Sequence, residues 1–309
     1  MKTKLKNLPK NNQLLFWLLS TVILLSSFLI FFLYKSPLAV NSPVFAPISL
    51  YQHPLIPHVN ATTNPHLLAK NYILIDIATN TILLSQNPHG RIYPASTTKL
   101  ATALTALNIY PLDEVVNIGA TYAEGKVMEL KSSENITIRS LVTALLVYSA
   151  NDSAYNLASH HQLGVAGFIK EMNSIATKYN LSDTHFVNYD GIHSDNHYSS
   201  VWDLSQLGRL AIKNQIIRDT VKSKNITVTD TSGKIVHLLE STNELLGVIP
   251  EIEGLKTGWT PEAGGCFVAL ININGHELIS VVAQSDDRFG DTTKIVSWAK
   301  DNISWQSYK

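Results

Sequence analysis

The sequence predicts an α/β fold of the α+β kind: one antiparallel sheet formed from both chain ends and covered by helices, behind an N-terminal transmembrane helix. Three observations carry that expectation. Strand-like segments lie near residue 72 and again between 265 and 284, helical apolar spacing fills the chain between them, and an apolar run occupies Leu14–Tyr34.

That run, LLFWLLSTVILLSSFLIFFLY, has only Ser and Thr as polar interruptions. As a helix rising 1.5 Å per residue it would reach about 31 Å, roughly one hydrocarbon core. Lys2, Lys4, Lys6 and Lys10 precede or open it and Lys35 follows, so residues 1–13 read as a cytoplasmic basic tail by the positive-inside rule. The run exceeds the length of a secretory leader, which favours an uncleaved signal-anchor over 14–34; cleavage would leave the remainder secreted. Residues 35–66 hold Pro37, Pro43, Pro47, Pro54, Pro57 and Pro65 with no acidic residue, the composition of an extended linker. The folded domain is expected over 67–309.

Within it, Tyr72–Ile77 and Ile82–Ser85 read as a hairpin. A helix is expected from about Ala95, with Leu100, Ala103, Leu104 and Leu107 on one face. Ile138, Leu141, Val142, Leu145 and Leu146 mark a second, and Asp152–His161 and Val165–Tyr179 two more. Gly265–Ile273 and Glu277–Gln284 flank Asn274-Gly275, a strong hairpin signal. Asp291 is expected to cap a last helix through Asn302.

The 309 residues carry 24 basic and 24 acidic side chains, so no basic excess suggests a nucleic-acid partner. The single Cys266 excludes internal disulfides and a zinc site built on several thiolates; in its apolar strand it reads as a small buried hydrophobe. His193 and His197 sit in a Gly/Asp/Asn-rich loop rather than at helical spacing, so neither metal nor cofactor is expected.

Three short patterns carry chemistry. Ser96-Thr-Thr-Lys99 places a hydroxyl at a helix start and an amine one turn on, on the same face. A serine is a poor nucleophile until a base takes its proton, and a lysine serves once burial or a nearby cation lowers its pKa. Ser149-Ala150-Asn151 follows the second apolar helix, where a hydroxyl can relay a proton and an amide can hold a carbonyl. Ser133-Glu-Asn135 and Ser194-Asp-Asn196 match the same pattern, but only 149–151 lies between two helices. Lys256-Thr257-Gly258 precedes the C-terminal hairpin; a lysine and a threonine there suit a carboxylate, and glycine allows a ligand to approach the backbone. A second Ser-x-x-Lys, Ser297 to Lys300, reads as helix surface.

In this order the three patterns resemble the D-alanyl-D-alanine carboxypeptidases of the low-molecular-mass penicillin-binding proteins, which have a β-lactamase/transpeptidase-like fold. YPASTTKLATAL, LLVYSANDSAYNLA, HFVNYDGIHSDNHYSS and IEGLKTGWTPEAGGCFVAL are similar to that family over about residues 68 to 300. The resemblance implies acylation of Ser96 with Lys99 as base, proton relay and substrate positioning by Ser149 and Asn151, and carboxylate binding by Lys256, Thr257 and Gly258. It implies an oxyanion hole from the backbone N–H groups of Ser96 and Trp259. Its substrates are peptidoglycan stem peptides and its covalent inhibitors β-lactams. It also implies a bacterial cell membrane location, single-pass, with the catalytic domain extracytoplasmic. Many relatives carry a C-terminal β-domain and anchor; the segment 14–34 would replace that anchor. Tyr189 and Asp190 differ from what relatives often show.

Two other readings stay open on the same fold. A β-lactamase, or an endopeptidase, would use the same serine, but no glutamate lies between Glu171 and Glu240 to drive fast drug turnover. A non-catalytic muropeptide or β-lactam sensor would have no need of Ser-x-x-Lys.

Overall fold

The computed structural model describes residues 9–34, 54–119 and 124–307. Most of the basic tail and the linker residues 35–53 therefore lie outside the described residues. The chain divides into units 1–52 and 53–309. The first contains helix α1 (Lys10–Tyr34).

The expected membrane-spanning segment is corrected here. Residues 14–34 are helical, but among the described residues no helix is long and apolar enough to cross a membrane. Ser20, Thr21, Ser26 and Ser27 interrupt its apolar face, each hydroxyl donating to a carbonyl one turn back. The transmembrane helix, the membrane contact through 14–34 and the single-pass membrane localisation are withdrawn with it.

The second unit is built on a five-stranded antiparallel sheet. Its strands are β2 (Asn71–Asp76), β3 (Ile82–Gln86), β8 (Ile252–Thr260), β9 (Gly264–Ile273) and β10 (His276–Ser285), in the order β3-β2-β10-β9-β8. The two chain ends meet where β10 pairs with β2, Ile279 opposite Ile75 and Val281 opposite Ile73. Asn274 and Gly275, at φ 53° and 87°, make the tight turn between β9 and β10. A strand not expected from the proline count, β1 (Ile56–Val59), pairs with the terminal β11 (Ile303–Gln306).

Both faces of the sheet are covered, which is why its strands read as nearly unbroken apolar runs. Side chains alternate with period two. Ile73, Ile75, Cys266, Val268, Leu270, Ile279 and Val281 enter one core. Tyr72, Leu74, Phe267, Ala269, Ile271, Leu278 and Val282 enter the other, against α8 (Arg288–Asn302). The first core is closed by α2 (Lys99–Ile109), α3 (Ile138–Val147), α4 (Asn151–Ser159), α5 (Gly164–Lys178) and α6 (Val201–Ala211). Gly208 of α6 lies so close to the sheet that a Cβ would stand 2.9 Å from Ile279 Cδ1. Smaller elements complete the unit: β4 (Val115–Asn117) with β5 (Asn135–Thr137), α7 (Gln215–Thr220), and the hairpin β6 (Asn225–Thr229) with β7 (Val236–Glu240).

The α8 cap is Asp287, whose carboxylate accepts from Gly290 N at 2.8 Å, and not Asp291. Asp291 lies inside the helix and does something else. Its buried carboxylate accepts from Leu68 N (2.8 Å), Ala69 N (2.7 Å) and Ser285 Oγ (2.7 Å), tying the start of the domain to the end of β10. Asp291→Ala strips these donors of a charged acceptor and is expected to cost about 3 kcal/mol. Urea unfolding checks this, and a loss below about 1 kcal/mol contradicts it.

Candidate active site

The hydroxyl at 96 sits where the chain is forced off its preferred path. Ala95 has φ +47°, a left-handed conformation that costs a non-glycine residue about 1–2 kcal/mol. It opens a tight 3-10 turn over Ala95–Thr98 that leads directly into α2. Thr97 Oγ1 donates to Pro94 O at 2.6 Å, and Thr98 Oγ1 meets His197 Nε2 at 2.8 Å. Val187 N donates to His197 Nδ1, so Nε2 carries the proton and donates to Thr98. Burial, with the charges of His185 and His193 adding, lowers the His197 pKa to about 3, so the ring stays neutral. The His193/His197 loop thus braces the turn.

Lys99 is fully buried, yet its ammonium has three partners. Nζ donates to Ser96 Oγ at 2.9 Å, Asn151 Oδ1 at 2.6 Å and Asp190 O at 3.0 Å. Burial lowers its pKa from 10.5 to about 8, against the opposing pull of Asp190 and Asp152. Of the two causes open from the sequence, burial and a nearby cation, burial is the one that acts on Lys99. Like-charge repulsion falls on Lys256, which burial first, then Lys99, Lys126 and Arg288, hold well below the usual lysine range.

Asn151 opens α4 and is held on three sides. Its N–H donates to Lys126 O at 2.7 Å, its Nδ2 donates to Glu124 O at 3.0 Å, and its Oδ1 receives Lys99. Gly125 at φ +69° is required beside it, since a Cβ there would lie 2.5 Å from Asn151 Nδ2. Ser149, buried at φ +69°, lies at the α3–α4 junction. Among the described residues Lys99 hydrogen-bonds to Asn151 and not to Ser149.

Strand β8 is the sheet edge facing the 3-10 turn. Lys256 and Gly258 pair with Val268 and Cys266, so they lie on the face covered by α2 to α6. Gly258 does not open space for a ligand, as its pattern suggested; a Cβ there would lie 2.8 Å from Ser96 N and 3.1 Å from Thr97 N. It lets the Ser96 backbone press against the strand. Lys256 Nζ donates to Thr257 O at 3.1 Å, and Thr257 Oγ1 to Thr242 Oγ1 at 2.7 Å. Trp259 follows, 60% exposed.

Sequence reasoning missed several participants. Lys126 stacks 4.1 Å over the Tyr148 ring, and Arg288, with a buried Nε that has no hydrogen-bond partner among the described residues, adds positive charge near Lys256. The carbonyls of Asp190, Glu124 and Lys126 belong to the backbone and leave no residue-type signal. Gly191 could have pointed to one of them. At φ +89° a Cβ there would fall 1.8 Å from Ala95 O, so the loop carrying Asp190 is pressed onto the Ser96 turn. By contrast the second Ser-x-x-Lys is surface: Lys300 pairs with Glu251 on the outside of α8. Ser133–Asn135 runs into β5, and among the described residues none of the three hydrogen-bonds to Lys99.

Residues 58–287 match the family model described as D-alanyl-D-alanine carboxypeptidase, Peptidase_S11. The chain belongs to that family. A D-alanyl-D-alanine carboxypeptidase of Streptomyces sp. (strain K15) is 32% identical over 259 residues, covering 77% of this chain and 89% of its own. The carboxypeptidase DacD of Escherichia coli (strain K12) is 29% identical, and the match spans 78% of this chain but 65% of that one. Among solved structures, the Streptomyces K15 DD-transpeptidase superposes with a TM-score of 0.73 at 31% identity, covering 76% of this chain and 98% of that one. Penicillin-binding protein D2 of Listeria monocytogenes, solved in its cefotaxime-bound form, gives 0.68 at 31% identity with the same coverage. This member is a serine-type D-Ala-D-Ala carboxypeptidase that works through a serine acyl-enzyme. Its sheet-and-helix architecture is the β-lactamase/transpeptidase-like one.

Because Gly258 sets the distance between β8 and the Ser96 backbone, Gly258→Ala is expected to displace Ser96. Release of D-alanine from a D-Ala-D-Ala peptide should fall about 100-fold in kcat/KM with circular dichroism unchanged. Wild-type turnover in that variant contradicts this role for the glycine.

Proposed function

We propose that Ser96 is the acylated residue, that Lys99 is its base, and that the substrate is a peptidoglycan stem peptide ending in D-Ala-D-Ala. The observation that carries the reading is the Lys99 amine, buried, 2.9 Å from Ser96 Oγ and with its pKa lowered to about 8. A neutral amine takes the Ser96 proton as Oγ attacks the penultimate D-alanine carbonyl. The oxyanion is met by the N–H groups of Ser96 and Trp259. As the intermediate collapses, the C–N bond breaks and the proton passes, with Ser149 as relay, to the departing D-alanine amine. Water, deprotonated by the Lys99 amine, then cleaves the ester, and that proton passes to Ser96 Oγ as the serine leaves.

Asn151 has two parts in this account. Its Oδ1 fixes Lys99, and its Nδ2, held by Glu124 O, fixes the orientation of the amide. Lys256, Thr257 and the strand at Gly258 receive the terminal carboxylate, with Arg288 adding to the positive field. β-Lactams place a strained amide and a carboxylate at the same two points and are therefore expected to acylate Ser96.

Benzylpenicillin is expected to add once to the intact protein, with the adduct on the Ser96 peptide and none in Ser96→Ala. D-Alanine release by Ser96→Ala would overturn the assignment. Because deprotonated Lys99 is the reactive form and its pKa lies at about 8, the acylation rate should rise with pH and level off above about 8. A rate flat from pH 6 to 9 contradicts Lys99 as the base.

A further inference from the structure

A buried ion-pairing group outside the proposed chemistry holds the wall on which Asn151 depends. His237 of β7 and Glu134 are almost wholly buried, their side chains 6% and 0% exposed, and meet at 2.8 Å through Nε2 and Oε1. The other ring nitrogen, Nδ1, lies 3.0 Å from Met128 O. A carbonyl oxygen only accepts, so Nδ1 carries a proton. Glu134 Oε2 accepts from Lys131 N at 2.9 Å.

The same short segment is gripped from its other side. Asp152, in the first turn of α4, accepts from Met128 N at 3.0 Å and Leu130 N at 3.1 Å, and Ser153 Oγ contacts Met128 Sδ at 3.1 Å. Met128 is thus held by its N–H from α4 and by its carbonyl from β7. Two to four residues earlier, the same segment supplies the Glu124 and Lys126 carbonyls that hold Asn151, which in turn holds the Lys99 amine.

We propose that Glu134 and His237 are positioning residues for the acyl transfer: they clamp the 124–131 segment against the first turn of α4, and that segment fixes Asn151 and, through it, Lys99. Neither residue touches substrate. The inference rests on the reading of Lys99 as base, but the clamp itself is open to a measurement that needs no activity.

Two variants separate the roles of the ring nitrogens. His237→Asn keeps an amide N–H near Nδ1 and so a donor for Met128 O; His237→Ala keeps none. In the alanine variant the Met128 and Leu130 amides should exchange hydrogen for deuterium about tenfold faster, whereas the asparagine variant should keep most of their protection. With the segment loosened, water reaches Lys99. The amine is faced by Asp152 from α4, Asp190 from the 188–192 loop and Lys256 from β8, and solvation weakens the burial effect that lowers its pKa. The midpoint of the acylation–pH curve should therefore move alkaline by about half a unit or more in His237→Ala, with a rate about tenfold or more lower at pH 7, and stay in place in His237→Asn.

A role in fold stability alone would lower the amount of folded protein and leave the midpoint where it was; that result overturns the proposal. Unchanged exchange at Met128 and Leu130 in the alanine variant overturns it too, whatever the activity. If the alanine variant does not fold, His237→Gln, which keeps a donor for Glu134 but none for Met128 O, replaces it. Equal exchange and equal midpoints in the glutamine and asparagine variants would then refute the clamp. Absence of benzylpenicillin acylation in the wild type would instead refute the Lys99 reading and leave the exchange result to judge the clamp.

Discussion

The arrangement depends on one costly placement, a lysine side chain taken wholly out of water one helical turn from a serine. An ammonium so placed must either lose its proton or be surrounded by acceptors, because the transfer of an uncompensated charge into the interior costs several kcal/mol or more. Lys99 does something of both. Three oxygens receive its N–H groups, while burial brings its pKa to about 8, within reach of neutral pH. A fully exposed lysine would stay protonated and be useless as a base, and a buried one without acceptors would destabilise the domain.

Each acceptor comes from a different part of the chain, and the fold can be understood as the means of assembling them. The serine is on the 3-10 turn that starts α2, the asparagine on the first turn of α4, and the Asp190 carbonyl on a loop that Gly191 lets sit against Ala95. Strand β8 closes the fourth side, its approach set by Gly258. Two strained positions fall at the same places: Ala95 and Ser149 both have positive φ without being glycine. Such conformations persist only where the surrounding packing imposes them, and here that packing is the continuous core between the helices and the sheet.

Much of the scaffold could be read from residue patterns because its signals are local. Asn274-Gly275 announces the β9–β10 turn, and the 3–4 spacing of Leu141, Leu145 and their neighbours announces α3. Where two candidates compete within a few residues, the pattern is not enough. Asp287 and Asp291 are one helical turn apart, and the cap fell to the first because the second is taken by the Leu68 and Ala69 amides, more than 200 residues away in sequence. The apolar run at 14–34 illustrates the limit of counting: it is helical, yet no described helix meets the length and apolarity of a membrane span.

At the site, side chains with distinctive chemistry were visible and backbone groups were not. Ser96, Lys99, Asn151 and Lys256 can be picked out as residue types at given spacings. The carbonyls of Glu124, Lys126 and Asp190 belong to every residue alike and gain meaning only when the chain is folded. Electrostatic cause was equally hidden. From sequence, burial and a nearby cation were both open as causes at Lys99; in the fold, burial governs Lys99, and like-charge repulsion adds to burial at Lys256. The most direct test is therefore the protonation state of Lys99 itself. An NMR titration of protein labelled at lysine Cε, with the signal assigned by Lys99→Arg, should show Lys99 titrating at about pH 8. A midpoint at the ordinary lysine value, above pH 10, would contradict the account.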